Sequence, residues 1–487
     1  MNPISLAEIQ RVTGAAAAPA GADAPAGADA PAGADVPGGA DARICAICTD
    51  TRRMTLQSLF IALRGENFDG HEFLAQAAAG GAAAALIDHQ PPISPPNLPL
   101  LRVADTRLAM GLLARHVRQH MRAKVIAVAG SNGKTGVKHL IHSVLRQDLR
   151  GSISPKSFNN DIGVPLTIFP ADPQADYLVL EMGTNHPGEI QLLTNIALPD
   201  VAVITNCSAE HLQGLGDLEG VRRENASLIE GIADSGVLIV NGDDAALLQA
   251  TRPFTGRRVT FGSCNGNDLW ASNVRCAMEG THFTIEPRGI QAFVPLLGQH
   301  SAVNALAAIA VGRTLGLDDV PMVKHLRHAS GPEMRLQLMD AGGIRVLNDA
   351  YNANPASMRA AIRTLASLPT SGRRIAVLGD MRELGASSAQ CHREIGKFIA
   401  EGFAPDLVVC VGSEAKAIAA EAIKSGMRAN RVEHFPTAAA AAAIAPRLID
   451  GDLVLLKASR AIGLEVVAQE IVASRRSPLV AAQAAAS

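Results

Sequence analysis

Residues 130–135 read Gly-Ser-Asn-Gly-Lys-Thr and stand between an apolar run, Lys124–Ala129, and a stretch of helical pattern. Glycines at such a junction let the backbone curl so that its N–H groups face an anion, and the positive end of the following helix adds to that field. Lys134 is then placed to meet the β- and γ-phosphates of a nucleotide, and the Thr135 hydroxyl to bind Mg²⁺. Gly130, Ser131, Asn132, Gly133, Lys134 and Thr135 are therefore the candidate ATP cradle. The usual pattern would also place a glycine at position 128, where this chain has Val128. The competing reading is an ordinary strand-to-helix turn that happens to contain Gly-Lys-Thr.

Two further residues suit phosphoryl chemistry. Glu181 ends the apolar run YLVLE, and in an open α/β sheet ligands gather beyond the C-terminal ends of the strands. A carboxylate there suits Mg²⁺, which prefers oxygen ligands. His211, in AEHLQGLG, follows the apolar run VAVITN (201–206) and can reach the same crevice. Taken singly, a strand-end Glu or a loop His is ordinarily just solvated; together with the phosphate loop they form a candidate site. Lys134, Glu181 and His211 are the catalytic candidates, and Thr135, Glu181 and His211 the metal set.

The elements that must position these residues follow from the pattern of apolar runs. The chain has 487 residues, which at roughly 100–200 residues per domain predicts about three domains. Residues 1–123 form a small α/β domain, with the strand-like SLFIAL (58–63), a helical stretch over 72–79 and a Pro-rich connection. Residues 124–330 alternate apolar runs with helices, which predicts a parallel sheet. Residues 331–487 repeat the alternation in a Rossmann-like α/β unit. Within the first domain, residues 14–41 include four copies of a six-residue PAGADA-type unit. Small residues, Pro and Asp cannot build a core, so this insertion is expected to be disordered.

Composition excludes other classes. Apolar residues make up 48% of the chain, and 44 basic residues nearly balance 46 acidic ones, so no nucleic-acid-binding face is expected. Neither a signal peptide nor a membrane-spanning run is evident. Seven cysteines at loose spacing fit a reducing cytoplasm. Cys45 and Cys48 make a C-x-x-C pair without a second pair to complete a zinc site, and are expected to be small buried strand residues.

The motifs as a set resemble the Mur ligase family. The loop GSNGKT is similar to that family's ATP loop. The segment NDAYNANP (348–355), the segment VLGDMRELG (377–385), FNNDIGVP (158–165) and EMGTNHPGEI (181–190) resemble the member that adds D-alanyl-D-alanine. The resemblance runs through nearly the whole chain outside the insertion. It implies an ATP-dependent amide ligase that joins D-alanyl-D-alanine to UDP-N-acetylmuramoyl-tripeptide through an acyl phosphate. It also implies ATP and Mg²⁺ as cofactors, and the protein is expected to be a cytoplasmic monomer that neither binds nucleic acid nor enters a membrane.

The resemblance also carries site residues. Asn304 matches an adenine contact, and Arg335 and Asp349 match third-domain ATP contacts. Substrate positions are implied at Thr51, Arg52, Asp69, Gly70 and His71 in the first domain. In the second they are Asn159, Asn160, Thr184, Asn185 and His186, and in the third Tyr351, Asn352, Asn354, Lys457, Ser459 and Arg460. The family's K-G-S-R appears here as Lys457-Ala-Ser-Arg460. A larger departure lies in Val221–Asn225, where many relatives carry a carbamylated Lys that bridges to a second Mg²⁺; here that position is Asn225, which cannot form a carbamate. A carboxylate neighbour, Glu224, reaches the site only if the helix is rotated or distorted; otherwise the Asn225 amide oxygen is expected to contact a metal-bound water. The competing functions are the neighbouring ligase that adds the third residue, a folylpolyglutamate synthase, and a nucleotide switch without ligase chemistry.

Overall fold

The computed structural model describes residues 1–17, 42–92, 95 and 97–475. The PAGAD repeats and the residues after Arg475 lie outside the described residues. Besides a two-stranded antiparallel pair, Ile4–Ser5 with Arg43–Ile44, three larger sheets follow one another along the chain.

The first sheet takes strands β1 (Ala16–Ala17), β2 (Ala46–Cys48), β3 (Ser58–Ile61), β4 (Ala82–Ile87) and β5 (Leu100–Arg102) in the order β1-β5-β4-β3-β2. Only β1 runs antiparallel, against β5. Residues 16 and 17, expected to belong to the disordered insertion, are thus an edge strand, because Ala16 and Ala17 pair with Arg102 and Leu101. Helix α1 (Leu6–Thr13) is capped by the Ser5 hydroxyl, which accepts from Glu8 N–H. Helix α2 (Leu74–Ala79) covers β4, and helix α3 (Thr106–Gln119) starts on Asp105, whose carboxylate accepts from Arg107 and Leu108 N–H.

The second sheet has nine strands: β6 (Lys124–Ala129), β7 (Gly151–Ile153), β8 (Tyr177–Glu181), β9 (Val201–Ile204), β10 (Val237–Asn241), β11 (Arg257–Gly262), β12 (Leu269–Ala277), β13 (Gly280–Glu286) and β14 (Ile290–Val294). Their order is β14-β13-β12-β11-β10-β9-β6-β8-β7. The pairings from β7 through β12 are parallel, as the buried apolar runs predict. The β12–β14 meander is antiparallel and corrects the expectation of a wholly parallel sheet. Its strands β12 and β14 mix buried with half-exposed and exposed residues, the mark of a sheet with one solvated face, while β13 between them is mostly buried. The chain leaves β6 toward β8 on one side and β9 on the other, so the crevice beyond the end of β6 is a topological switch point.

Helix α4 (Lys134–Leu145) follows β6 and packs against α8 (Gln299–Thr314). Helices α5 (Gly163–Ile168) and α6 (Glu189–Ala197) cover the opposite face, and α7 (Leu218–Ala226) packs against α6. The third sheet, β15 (Gln337–Ala341), β16 (Ile344–Asp349), β17 (Arg374–Gly379), β18 (Leu407–Val411), β19 (Val432–Phe435) and β20 (Leu453–Lys457), has the order β15-β16-β20-β17-β18-β19. Only its edge strand β15 is antiparallel. Helix α9 (Pro355–Ser367) begins on Asn354, which forms a capping box with Ser357. Among the described residues, no helix is long and apolar enough to cross a membrane.

Candidate active site

The phosphate loop is short because β6 extends through Val128, which pairs with Glu181 on one side and Val203 on the other. The turn therefore begins at Gly130. Its φ is +121°, and a Cβ there would stand 2.2 Å from the Thr205 hydroxyl, so only glycine fits. Residues after β9, which sequence reasoning passed over, brace the loop. Thr205 Oγ1 donates to the Asn132 carbonyl at 2.6 Å, Asn206 Oδ1 accepts from Asn132 N–H at 3.2 Å, and Ser208 N–H donates to Ser131 Oγ at 2.9 Å. Lys134 folds back so that Nζ donates to the carbonyls of Gly130 and Ser131.

Glu181 sits at the end of β8 with 1% of its surface exposed. Burial works against its charge, but the Lys138 ammonium, with Lys134 and Arg335, outweighs burial and holds the carboxyl below its ordinary pKa. Thr135 Oγ1 is buried without a hydrogen-bond partner, an expensive state unless a ligand meets it. A lone hydroxyl oxygen on the loop and an ionised carboxylate at the strand end form a hard-oxygen set that fits Mg²⁺. His211 lines the same cavity in a left-handed backbone conformation, φ +49°, with Nδ1 against the Glu383 carboxylate of the third domain. Its neighbour Glu210, also unforeseen, lies buried 3.8 Å from Lys134 Nζ; burial pushes its pKa up against the pull of Lys134 and His211.

The third domain closes over this crevice. Asn354 Nδ2 donates to Asn132 Oδ1 on the phosphate loop at 2.8 Å, and the Tyr351 hydroxyl donates to Ser157 Oγ at 2.7 Å. The Arg335 guanidinium lies 4.3 Å over the Tyr351 ring. Asp349 Oδ2 is paired with Lys457 Nζ at 2.7 Å, and Lys457 also donates to the Asn352 carbonyl at 2.9 Å. A cavity of about 930 Å³ remains between the domains. Asn304 reaches it from α8, Asn159, Asn160, Thr184 and Asn185 from the loops after β7 and β8, and Arg107 from α3 of the first domain.

Several expected residues lie elsewhere. His186 is exposed and contacts Glu189. Ser459 is an internal brace whose hydroxyl accepts from Arg382 N–H, and Arg460 pairs with Glu465 at the surface; none of the three lines the cavity. The first-domain set forms two local networks. Arg52 grips Asp50 through two hydrogen bonds of 2.9 and 2.8 Å, which lower the Asp50 pKa to about 2; Thr51 Oγ1 donates to Gln76. His71 is buried, with Nδ1 2.6 Å from Asp69 Oδ1 and Nε2 accepting from Asp88 N–H, while Gly70 is required because a Cβ would meet the Leu63 carbonyl at 2.7 Å. Cys45 is exposed and Cys48 half-buried, contrary to expectation, since Cys45 precedes and Cys48 ends the outermost strand of the sheet. Asn225 is buried, and its amide donates to the Val221 carbonyl of its own helix. Glu224 does not turn toward the phosphate loop. Its carboxylate accepts from the N–H groups of Gly188 and Ile190 and from Thr184 Oγ1.

Comparison with known proteins finds the same family across all three parts of the chain. The Mur ligase family catalytic domain matches residues 43–124, the Mur ligase middle domain 128–312, and the Mur ligase glutamate ligase domain 334–460. A UDP-N-acetylmuramoyl-tripeptide–D-alanyl-D-alanine ligase of Bacillus subtilis is 39% identical over 432 residues, covering 88% of this chain and 93% of the relative. The enzyme of the same name from Escherichia coli is 40% identical, covering 77% and 82%. Among solved structures, MurF from Acinetobacter baumannii superposes with a TM-score of 0.83 at 31% identity, covering 97% and 99%. MurF from Thermotoga maritima in complex with ADP gives 0.78 at 26% identity, covering 88% and 97%.

Proposed function

This chain belongs to the Mur ligase family, and from that premise we propose that it joins D-alanyl-D-alanine to UDP-N-acetylmuramoyl-tripeptide, cleaving ATP to ADP and phosphate. The observation that carries the reading is the meeting, in one cavity, of the phosphate loop, the strand-end Glu181 and the third-domain segment 349–354. The enzyme acts as a cytoplasmic monomer on small-molecule substrates in peptidoglycan precursor synthesis.

A carboxylate does not form an amide until it carries a better leaving group than oxide. The terminal carboxylate of the tripeptide attacks the γ-phosphorus of ATP; a carboxyl O–P bond forms and the bond to ADP breaks. The amine of D-alanyl-D-alanine then attacks the acyl phosphate, and the tetrahedral intermediate collapses with loss of phosphate. The residues of this chain contribute position and charge. Backbone N–H groups of residues 130–135 and the Lys134 ammonium receive the phosphates, Lys134 turning from its loop carbonyls toward them. Asn304 meets the adenine, and Arg335 and Asp349 close on the nucleotide from the third domain. Asn159, Asn160, Thr184, Asn185, Tyr351, Asn352 and Asn354 border the two acceptors, and residues 50–52 and 69–71 hold the uridine end. Thr135 and Glu181 would hold Mg²⁺ and His211 would be the ligand for a second ion, where a cation would supply charge compensation for the phosphoryl group. The contacts of Asn354 with Asn132 and of Tyr351 with Ser157 shut the crevice, which protects the acyl phosphate from water.

Amine competition tests the reading. With the UDP-tripeptide, ATP and an equimolar mixture of D-alanyl-D-alanine, glutamate and a diamino acid, mass spectrometry should find the tripeptide extended by the dipeptide alone. Extension by glutamate or by the diamino acid would move the chain to another branch of the family.

A further inference from the structure

One turn after Lys134, helix α4 carries a second lysine that the scheme above does not use. Lys138 is 0% exposed and is not part of the cavity wall. Its Nζ lies 3.0 Å from Glu181 Oε2 and donates to the Lys156 carbonyl. Lys156 itself has φ +46°, in the left-handed region that residues with a side chain enter at a cost. The other oxygen of the same carboxylate, Oε1, accepts from Asn159 Nδ2 at 3.1 Å. Ser154 Oγ accepts from Glu181 N–H at 2.9 Å, and Gly183 N–H donates to the Asn159 carbonyl at 2.8 Å. A single buried ammonium therefore ties three pieces together: the helix after the phosphate loop, the end of β8, and the connection 154–162 that bears Asn159, Asn160 and Ser157.

A charge at this place is not the cheapest way to fill it. The α4 neighbours Val137, Leu140 and Ile141 are all fully buried apolar residues, and a buried ion pair is commonly no more stabilising than apolar side chains of similar volume. What an apolar residue could not do is fix the direction of a carboxylate. Ligand carboxylates are typically oriented by outer partners of this kind. We propose that Lys138 is a positioning residue, which aims Glu181 and the Asn159 loop at the cation through the buried ion pair and its bond to the Lys156 carbonyl.

The proposal rests on Glu181 as a metal ligand, and the test separates the two claims. Mn²⁺ binding to the ADP-bound protein is measured by electron paramagnetic resonance for the parent, Lys138→Met, Lys138→Gln and Glu181→Gln. Both Lys138 variants should bind Mn²⁺ roughly 10–100-fold more weakly, bind ADP in chelator as the parent does, and raise the Mg²⁺ concentration for half-maximal rate more than they lower the rate at saturating Mg²⁺. A purely structural lysine would lower the thermal midpoint and leave Mn²⁺ affinity in the folded protein unchanged, and that result overturns the proposal. If Glu181→Gln also binds Mn²⁺ like the parent, the metal assignment itself fails. If neither Lys138 variant folds, Lys138 serves folding and the positioning role falls.

Discussion

Replacing Glu224 with Ala should destabilise the middle of the molecule without touching the metal site. Glu224 is 6% exposed. Helix α6 has glycine at its N-cap and no side-chain cap of its own; Glu224 supplies one from α7, accepting from Gly188 N–H and Ile190 N–H at 2.8 Å each and from Thr184 Oγ1 at 3.2 Å. Gly188 is exposed, so water can replace its bond. Ile190 is fully buried, and its orphaned N–H should cost about 1–3 kcal/mol. Loss of a partly buried anion at a helix N-terminus adds about 1 kcal/mol. The sum, about 3 kcal/mol, corresponds to roughly 6–12 °C in the midpoint of a domain of this size. Differential scanning calorimetry of metal-free protein reads the shift, and Mn²⁺ titration of the same variant should match the parent. An unchanged midpoint with weakened Mn²⁺ binding would refute the reasoning and make Glu224 the carboxylate that replaces the missing carbamate.

Two other variants bear on the site. Lys134→Ala should lower turnover by about a hundredfold or more while calorimetry finds the apo midpoint near the parent's, because the ammonium meets only loop carbonyls and a 3.8 Å contact with Glu210; near-normal turnover would sink the loop assignment. Asn225 has no amine to react with carbon dioxide, so rates in carbon-dioxide-free and bicarbonate-supplemented buffer should coincide, whereas Asn225→Lys can acquire a bicarbonate dependence. A strong bicarbonate requirement in the parent would show that a lysine elsewhere is carbamylated.

The buried parallel strands were legible because they are short apolar runs, most of them ended by Gly, Asn or an acidic residue, and the phosphate loop because its residue types have few other uses. The meander at 269–294 was not, since its strands mix Arg, Glu and His with apolar residues and carry no uninterrupted run. Lys138 was invisible for a related reason: a lysine in a helix is normally solvated, and only the fold brings it to Glu181, Lys156 and a dry interior. The same holds for Glu210 and for Tyr351 with Ser157, 194 residues apart. Ser459 and Arg460 were expected at the substrate because the family's K-G-S-R pattern appears as Lys457-Ala-Ser-Arg460. The backbone leaves β20 there for a short helical turn, which sends Ser459 inward and Arg460 to the surface.

In a ligase, ATP cleavage is coupled to amide formation. Phosphate release should be measured with ATP, Mg²⁺ and UDP-N-acetylmuramoyl-tripeptide, with and without D-alanyl-D-alanine. Steady release that needs both acceptors and equals the amount of amide product is the predicted result. Release at the same rate without either acceptor would contradict the account and leave a nucleotide hydrolase in place of a ligase.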